Sequence, residues 1–153
     1  MVEEDNFPSI GINSSGIRYF IEQCGGYDEL RNLTTTEVCE KWVKPFTSSE
    51  AISYCEYLNA SSDRSMVGRP TVFISHAWVY LFVDVVEAIL SLSSDHDDYF
   101  WFDLFSHNQN TASSFSFAWY CGVFRSAIEE INHTAIIFAP WNYPIALTRA
   151  WCL

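Results

Sequence analysis

Chemistry in this chain can start from few side chains. Ser75 and His76, with Trp78 two residues on, follow an apolar run, and Asp103 closes another. A histidine and a carboxylate at the ends of buried segments can hydrogen-bond a ligand or exchange a proton with it. The same two groups can equally cap a sheet and a loop, and both readings stand at this level. Trp141 and Asn142 follow a third apolar run, where an indole either plugs the loop or contacts a partner. Asp95-His96-Asp97-Asp98 has metal-ligand residue types, but its place before a strand reads as a solvated turn. Cys152 would need a histidine partner and a lowered pKa to act as a nucleophile, and it reads as packing. The chain holds no G-x-G-x-x-G, Walker A, G-x-S-x-G or H-E-x-x-H motif.

The elements that must position these groups divide the chain near residue 70. Ile17, Phe20, Ile21 and Cys24 fall on one helical face, which Gly25-Gly26 ends. Thr34 and Glu37 have capping-box spacing for a second helix, carried by Val38, Trp42 and Val43 and stopped by Pro45. Thr47 to Glu50 repeats the start signal for a third, with Ile52, Cys55 and Leu58. Residues 1–15 read as an irregular leader and 59–70 as a polar linker. From Thr71 the period changes. Thr71–Ser75, Tyr99–Asp103 and Thr134–Ala139 are short, β-rich apolar runs that read as strands. Val79–Leu92 and Phe117–Ile131 read as the helices between them, and Leu147–Leu153 as the start of another. Trp78, Trp101 and Trp119 sit in or beside apolar runs and read chiefly as core.

Alternating strands and helices with nearly uninterrupted apolar strands predict an α/β fold with a parallel sheet covered on both faces. Function in such sheets lies beyond the carboxyl ends of the strands. That rule nominates Ser75, His76 and Trp78, then Asp103 and the Phe105–Asn108 stretch, then Trp141 and Asn142.

Composition narrows the function classes. Of 153 residues, 49% are hydrophobic and 18% charged, which excludes disorder and predicts a real core. Eight Lys and Arg stand against nineteen Asp and Glu, a net charge of −11, and only Arg125 and Arg149 follow residue 70. Such a surface is suited neither to nucleic acid nor to anionic lipid. Asp84 and Glu87 interrupt the longest apolar stretch, so no membrane span is expected. Five widely spaced cysteines without C-x-x-C, and an acidic N-terminus, predict a reducing compartment and a cytoplasmic protein.

Several segments also resemble one known family. Val72-Phe73-Ile74-Ser75, Phe82–Leu90, Phe100–Asp103, Phe124–Ile131, Ala135–Pro140 and Trp151-Cys152-Leu153 resemble, in order, the first strands and helices of a Toll/interleukin-1 receptor (TIR) domain. Phe73–Trp78, Trp101–Gln109 and Pro140–Leu153 are most similar to TIR-like proteins of protists and algae. In those an L-T-T-T-x-V-C element, here Leu33–Cys39, precedes the domain. With that leader the resemblance runs from about Ile17.

The resemblance implies a flavodoxin-like parallel sheet with strand order 2-1-3, a helical leader and linker over 1–70, and a TIR-like α/β domain over 71–153. It implies an intracellular signalling or assembly module that associates with itself or with other TIR-like domains, with no cofactor required. The alternative it implies is cleavage of NAD at the nicotinamide–ribose bond. The family's catalytic Glu falls two positions past Leu153, so the chain reads as the amino-terminal part of a longer protein. The 153 residues then contain no catalytic base and are expected not to turn over NAD. The resemblance carries over His76 and Trp78 as first-loop pocket residues and Trp151 as a wall of a nicotinamide site; with Ser75, Asp103 and Trp141 from the strand-end rule, these are the candidate ligand-contacting residues. Ala77 and Trp78 stand where catalytic relatives often place an Arg.

Overall fold

The computed structural model describes residues 7–61, 63–93 and 97–139. Strand β1 (Gly11–Ile12) leads directly into helix α1 (Ser14–Gln23). Asn13 caps that helix, its side chain accepting the Gly16 N–H at 2.9 Å. Gly25 and Gly26 follow α1 at φ 93° and 97°, left-handed values that glycine adopts without a Cβ clash. Helices α2 (Tyr27–Leu30) and α3 (Thr35–Val38) come next, α3 opened by the reciprocal capping box of Thr34 and Glu37.

The chain does not stop at Pro45 as expected. A π turn over Cys39–Val43 runs straight into helix α4 (Lys44–Thr47), and Pro45 sits in its first turn. A proline ring clashes with the carbonyl four residues back, and the wider π turn just before it makes that room. The third helix is likewise capped elsewhere. Ser53 and Glu56, not Thr47 and Glu50, form the capping box of α5 (Tyr54–Ala60). The Thr47 hydroxyl instead donates to the Val43 carbonyl at 2.9 Å.

The expected linker over 59–70 contains a 3-10 turn, Arg64–Met66, and strand β2 (Val67–Gly68). Strand β3 (Val72–Ser75), helix α6 (Phe82–Leu92), strand β4 (Phe100–Trp101), helix α7 (Asp103–Ser106), helix α8 (Phe117–Ile131) and strand β5 (Thr134–Ile136) follow. Helix α6 starts three residues later than Val79, and Asp103 opens α7 instead of closing a strand. The helix expected over 147–153 lies outside the described residues. No helix among the described residues is long and apolar enough to cross a membrane.

The sheet is mixed, not purely parallel. Its order is β2-β1-β4-β3-β5, so the expected 2-1-3 is not the order of the whole sheet. β3 pairs in parallel with β4 (Val72 opposite Phe100) and with β5 (Ile74 opposite Ala135). β1 pairs antiparallel with both β2 and β4, Ile12 lying opposite Val67 and Phe100. The N-terminal segment therefore supplies a strand flanked on both sides, on the β4 side of the sheet and away from β5.

Alternation along the strands sends side chains to two cores. Val72, Ile74 and Phe100 face α1, α5, α6 and α7; Phe73 and Trp101 face Val123 and Ala127 of α8. The hub of the larger core is Phe20, fully buried on α1. Its ring meets Tyr54, Phe82 and Phe105 edge-on at centroid distances of 5.0, 5.7 and 4.8 Å. Asp84, Glu87 and Ser91 form the exposed stripe of α6, as their spacing predicts. Burial pushes the thiols of Cys24, Cys39 and Cys55 up to about 12, so they are packing groups and not nucleophiles. Replacing Phe20 with Ala removes a ring that four elements share, and urea unfolding should show a loss of about 3–5 kcal/mol. The exposed Tyr27→Ala control should stay within about 0.5 kcal/mol.

Candidate functional site

β3 and β4 run in the same direction, so the segments that leave them meet at one rim. His76 follows β3 directly, and Asp103 stands two residues after β4 at the first position of α7. Trp78 donates its indole N–H to Asp103 Oδ2 at 2.8 Å, and the Leu104 backbone N–H donates to Oδ1 at 2.8 Å. His76 Nδ1 lies 3.8 Å from the same Oδ1, beyond a normal hydrogen bond but inside ion-pairing distance for a charged ring. The His76 imidazole is buried, stacked with Trp78 at 6.3 Å and edge-on to Phe102 at 4.8 Å. Four of the expected site residues, Ser75, His76, Trp78 and Asp103, are thus neighbours. Trp141 and Trp151 lie outside the described residues.

Two hollows share Asp103. The smaller, about 10 Å³ and lined by Phe73, Ser75, His76, Trp101 and Phe124, holds no more than a single water. The larger is a crevice of about 250 Å³ between the β3 and β4 exits and α8, walled by Trp78, Asp103, His107, Gln109, Tyr120 and Phe124. Ala112 and Phe117 complete its mouth.

The N-terminal segment holds the floor of this crevice in place. Asn110 donates its side-chain amide to Thr47 Oγ1 at 2.9 Å and to the Ile52 carbonyl at 3.2 Å. Asn108 donates to the carbonyl of Ala51, a residue at φ 52° in the left-handed region that alanine rarely adopts. Gln109 closes the turn by donating to the Asp103 carbonyl at 2.8 Å. His107 is thereby buried against Trp119 and Tyr120, its Nε2 3.4 Å from the Tyr120 hydroxyl. That hydroxyl also meets the Ala112 carbonyl.

Burial pushes the His107 pKa below its usual value, a shift that nearby Asp103 opposes only in part. The ring is neutral at physiological pH, with one nitrogen able to accept. Burial, then the Asp103 charge, raises the Tyr120 phenol, which keeps its proton. The described lining residues therefore offer one carboxylate, one neutral imidazole, one phenol and a primary amide in aromatic surroundings. Among the described residues no group of three or more His, Cys, Asp and Glu could hold a metal ion.

His107 lies within the stretch nominated after the second strand, but its neighbours Phe105 and Ser106 point into the core. Gln109 and Tyr120 escaped the sequence reading. Tyr120 had a signal: Phe117, Tyr120 and Phe124 lie at i, i+3 and i+7, a second apolar line beside the one through Trp119 and Val123.

No protein-family model, curated protein or solved structure matches the chain.

Buried His107 makes the stability of the fold depend on pH. A base whose pKa is lower folded than unfolded binds its proton more readily in the unfolded chain. Its stabilising share is complete above the unfolded value near 6.5 and is lost as pH falls through it toward the lower folded value. Urea midpoints should drop from pH 7.5 to pH 5.5, and His107→Gln should drop less over the same interval.

Proposed function

We propose that the chain is a TIR-like module, flavodoxin-like over β3 to β5, that works in the cytoplasm by associating with copies of itself or with related domains. The observation that supports this reading is the parallel trio β4-β3-β5. Its earliest strand is in the middle, and the exits of β3 and β4 meet at one rim. The resemblance of Val72–Ser75, Phe100–Asp103 and Phe124–Ile131 to TIR segments falls on two strands of that trio and on the helix packed against it.

Association needs apolar surface that water would otherwise cover, and the rim supplies some. Val79, next to Trp78, is 56% exposed, and Phe117, at the crevice mouth, is 62% exposed. Large side chains this exposed at one rim suit a contact surface better than a monomer's solvent shell. Light scattering from micromolar to near-millimolar protein should show a mass that rises with concentration, and Val79→Glu with Phe117→Glu should return it to the monomer. A constant monomeric mass across that range would sink the reading.

NAD cleavage is the second reading, and the crevice favours it in one respect. An aromatic slot with a carboxylate beside it suits an oxocarbenium-like centre as nicotinamide departs. The pyrophosphate, however, meets no Lys or Arg among the described lining residues. The 153-residue chain incubated with NAD should release no nicotinamide beyond the background rate. Release in excess of one equivalent would put this reading ahead of the first.

A further inference from the structure

We propose that the crevice between Trp78 and α8 is a binding site for a small organic cation of the substituted-ammonium class, free in solution. The inference rests on the lining alone and does not depend on the family reading.

Three properties of the walls select that chemistry. The first is the charge. Among the described lining residues Asp103 is the one carboxylate, and there is no Lys or Arg. A phosphate or carboxylate ligand would place a second negative charge beside Asp103, with no Lys or Arg among the described lining residues to offset it. The Asp103 side chain is only 17% exposed, so its charge is weakly screened and a cation entering the crevice interacts with it strongly.

The second is the aromatic lining. Trp78, Phe117, Tyr120 and Phe124 supply the walls, and a cation against an indole, phenol or phenyl face is attracted by the ring quadrupole. Trp78 is not loose: its N–H to Asp103 bond ties the ring to the carboxylate, so charge and face are presented together. An ammonium carrying methyl groups meets both demands, because its surface is apolar while its charge is positive.

The third is the polar complement. Asp103 accepts from Trp78 and Leu104, and a carboxylate has about four acceptor sites, so acceptor capacity is left for a ligand. His107 and Gln109 lie deeper and are committed mainly to the turn that holds them. A volume of about 250 Å³ falls just under the usual range for drug-sized ligands, which fits a small cation better than a dinucleotide.

Choline is a suitable probe. Its uncharged isostere, with a tert-butyl group in place of trimethylammonium, is the control, and inorganic pyrophosphate is the anionic arm. Tryptophan fluorescence and calorimetry should show choline binding at millimolar concentration or below. The isostere should bind at least tenfold more weakly, and pyrophosphate should not bind. Asp103→Asn should cost choline at least tenfold while leaving the isostere unchanged. Phe117→Ala, at a position 62% exposed, should weaken choline several-fold, which keeps the test alive if Asp103→Asn unfolds. Equal binding of choline and the isostere, tighter binding of pyrophosphate, or no choline binding at tens of millimolar would each overturn the inference. Phe117 belongs to both the crevice mouth and the association surface, so Asp103→Asn, which leaves Val79 and Phe117 in place, separates the two: it should weaken choline binding without changing the light-scattering mass.

Discussion

The contact between Phe20 and Phe105, 4.8 Å between ring centroids, holds the two parts of the chain together. Phe20 belongs to the first long helix and Phe105 to the four-residue helix that follows β4. Edge-on aromatic pairs add to the burial of their area, and here both partners are wholly buried among further rings. With Phe105 fixed, Phe102 and Leu104 fall into the same core, and Asp103 between them is turned to the rim. A packing decision made far from the crevice thus determines where its carboxylate stands.

The rim shows the price of that arrangement. Asp103 sits in largely apolar surroundings, and two N–H donors compensate its charge without a cation on either. Carboxylates so placed hold their position through directed hydrogen bonds and remain responsive to any positive charge that arrives. On the other face of the sheet the same strand residues stack: Phe73 lies parallel to Trp101 at 5.1 Å, and Trp101 anchors the N-terminal segment by donating to the Pro8 carbonyl at 2.8 Å. Both layers therefore connect residues before 25 with residues after 70.

Much of the α/β half was readable from composition and period, because β3, α6 and α8 carry long or strongly biased patterns. The stripe of Asp84, Glu87 and Ser91 and the capping box at Thr34 are local signals, and local signals survive into the fold. β1 and β2 were not readable. A strand of two residues has no alternation to detect, and Gly11 and Gly68 are strand residues only because a partner lies alongside. Two candidate caps six residues apart, at Thr47 and Ser53, satisfy the same rule, and tertiary contacts choose between them. Of the site, His76, Trp78 and Asp103 followed from strand-end logic, whereas Tyr120 enters from a helix whose second apolar line has meaning only once α8 is laid on the sheet.

The place of β1 bears on biosynthesis. Gly11 and Ile12 leave the ribosome before either neighbour, since β2 comes from residues 67–68 and β4 from residues 100–101. The nascent chain must hold an unpaired segment until both neighbours have been made. A fold assembled from such distant partners closes late and slowly. Trimming the first dozen residues would therefore open a gap inside the sheet, between β2 and β4, instead of shortening a tail.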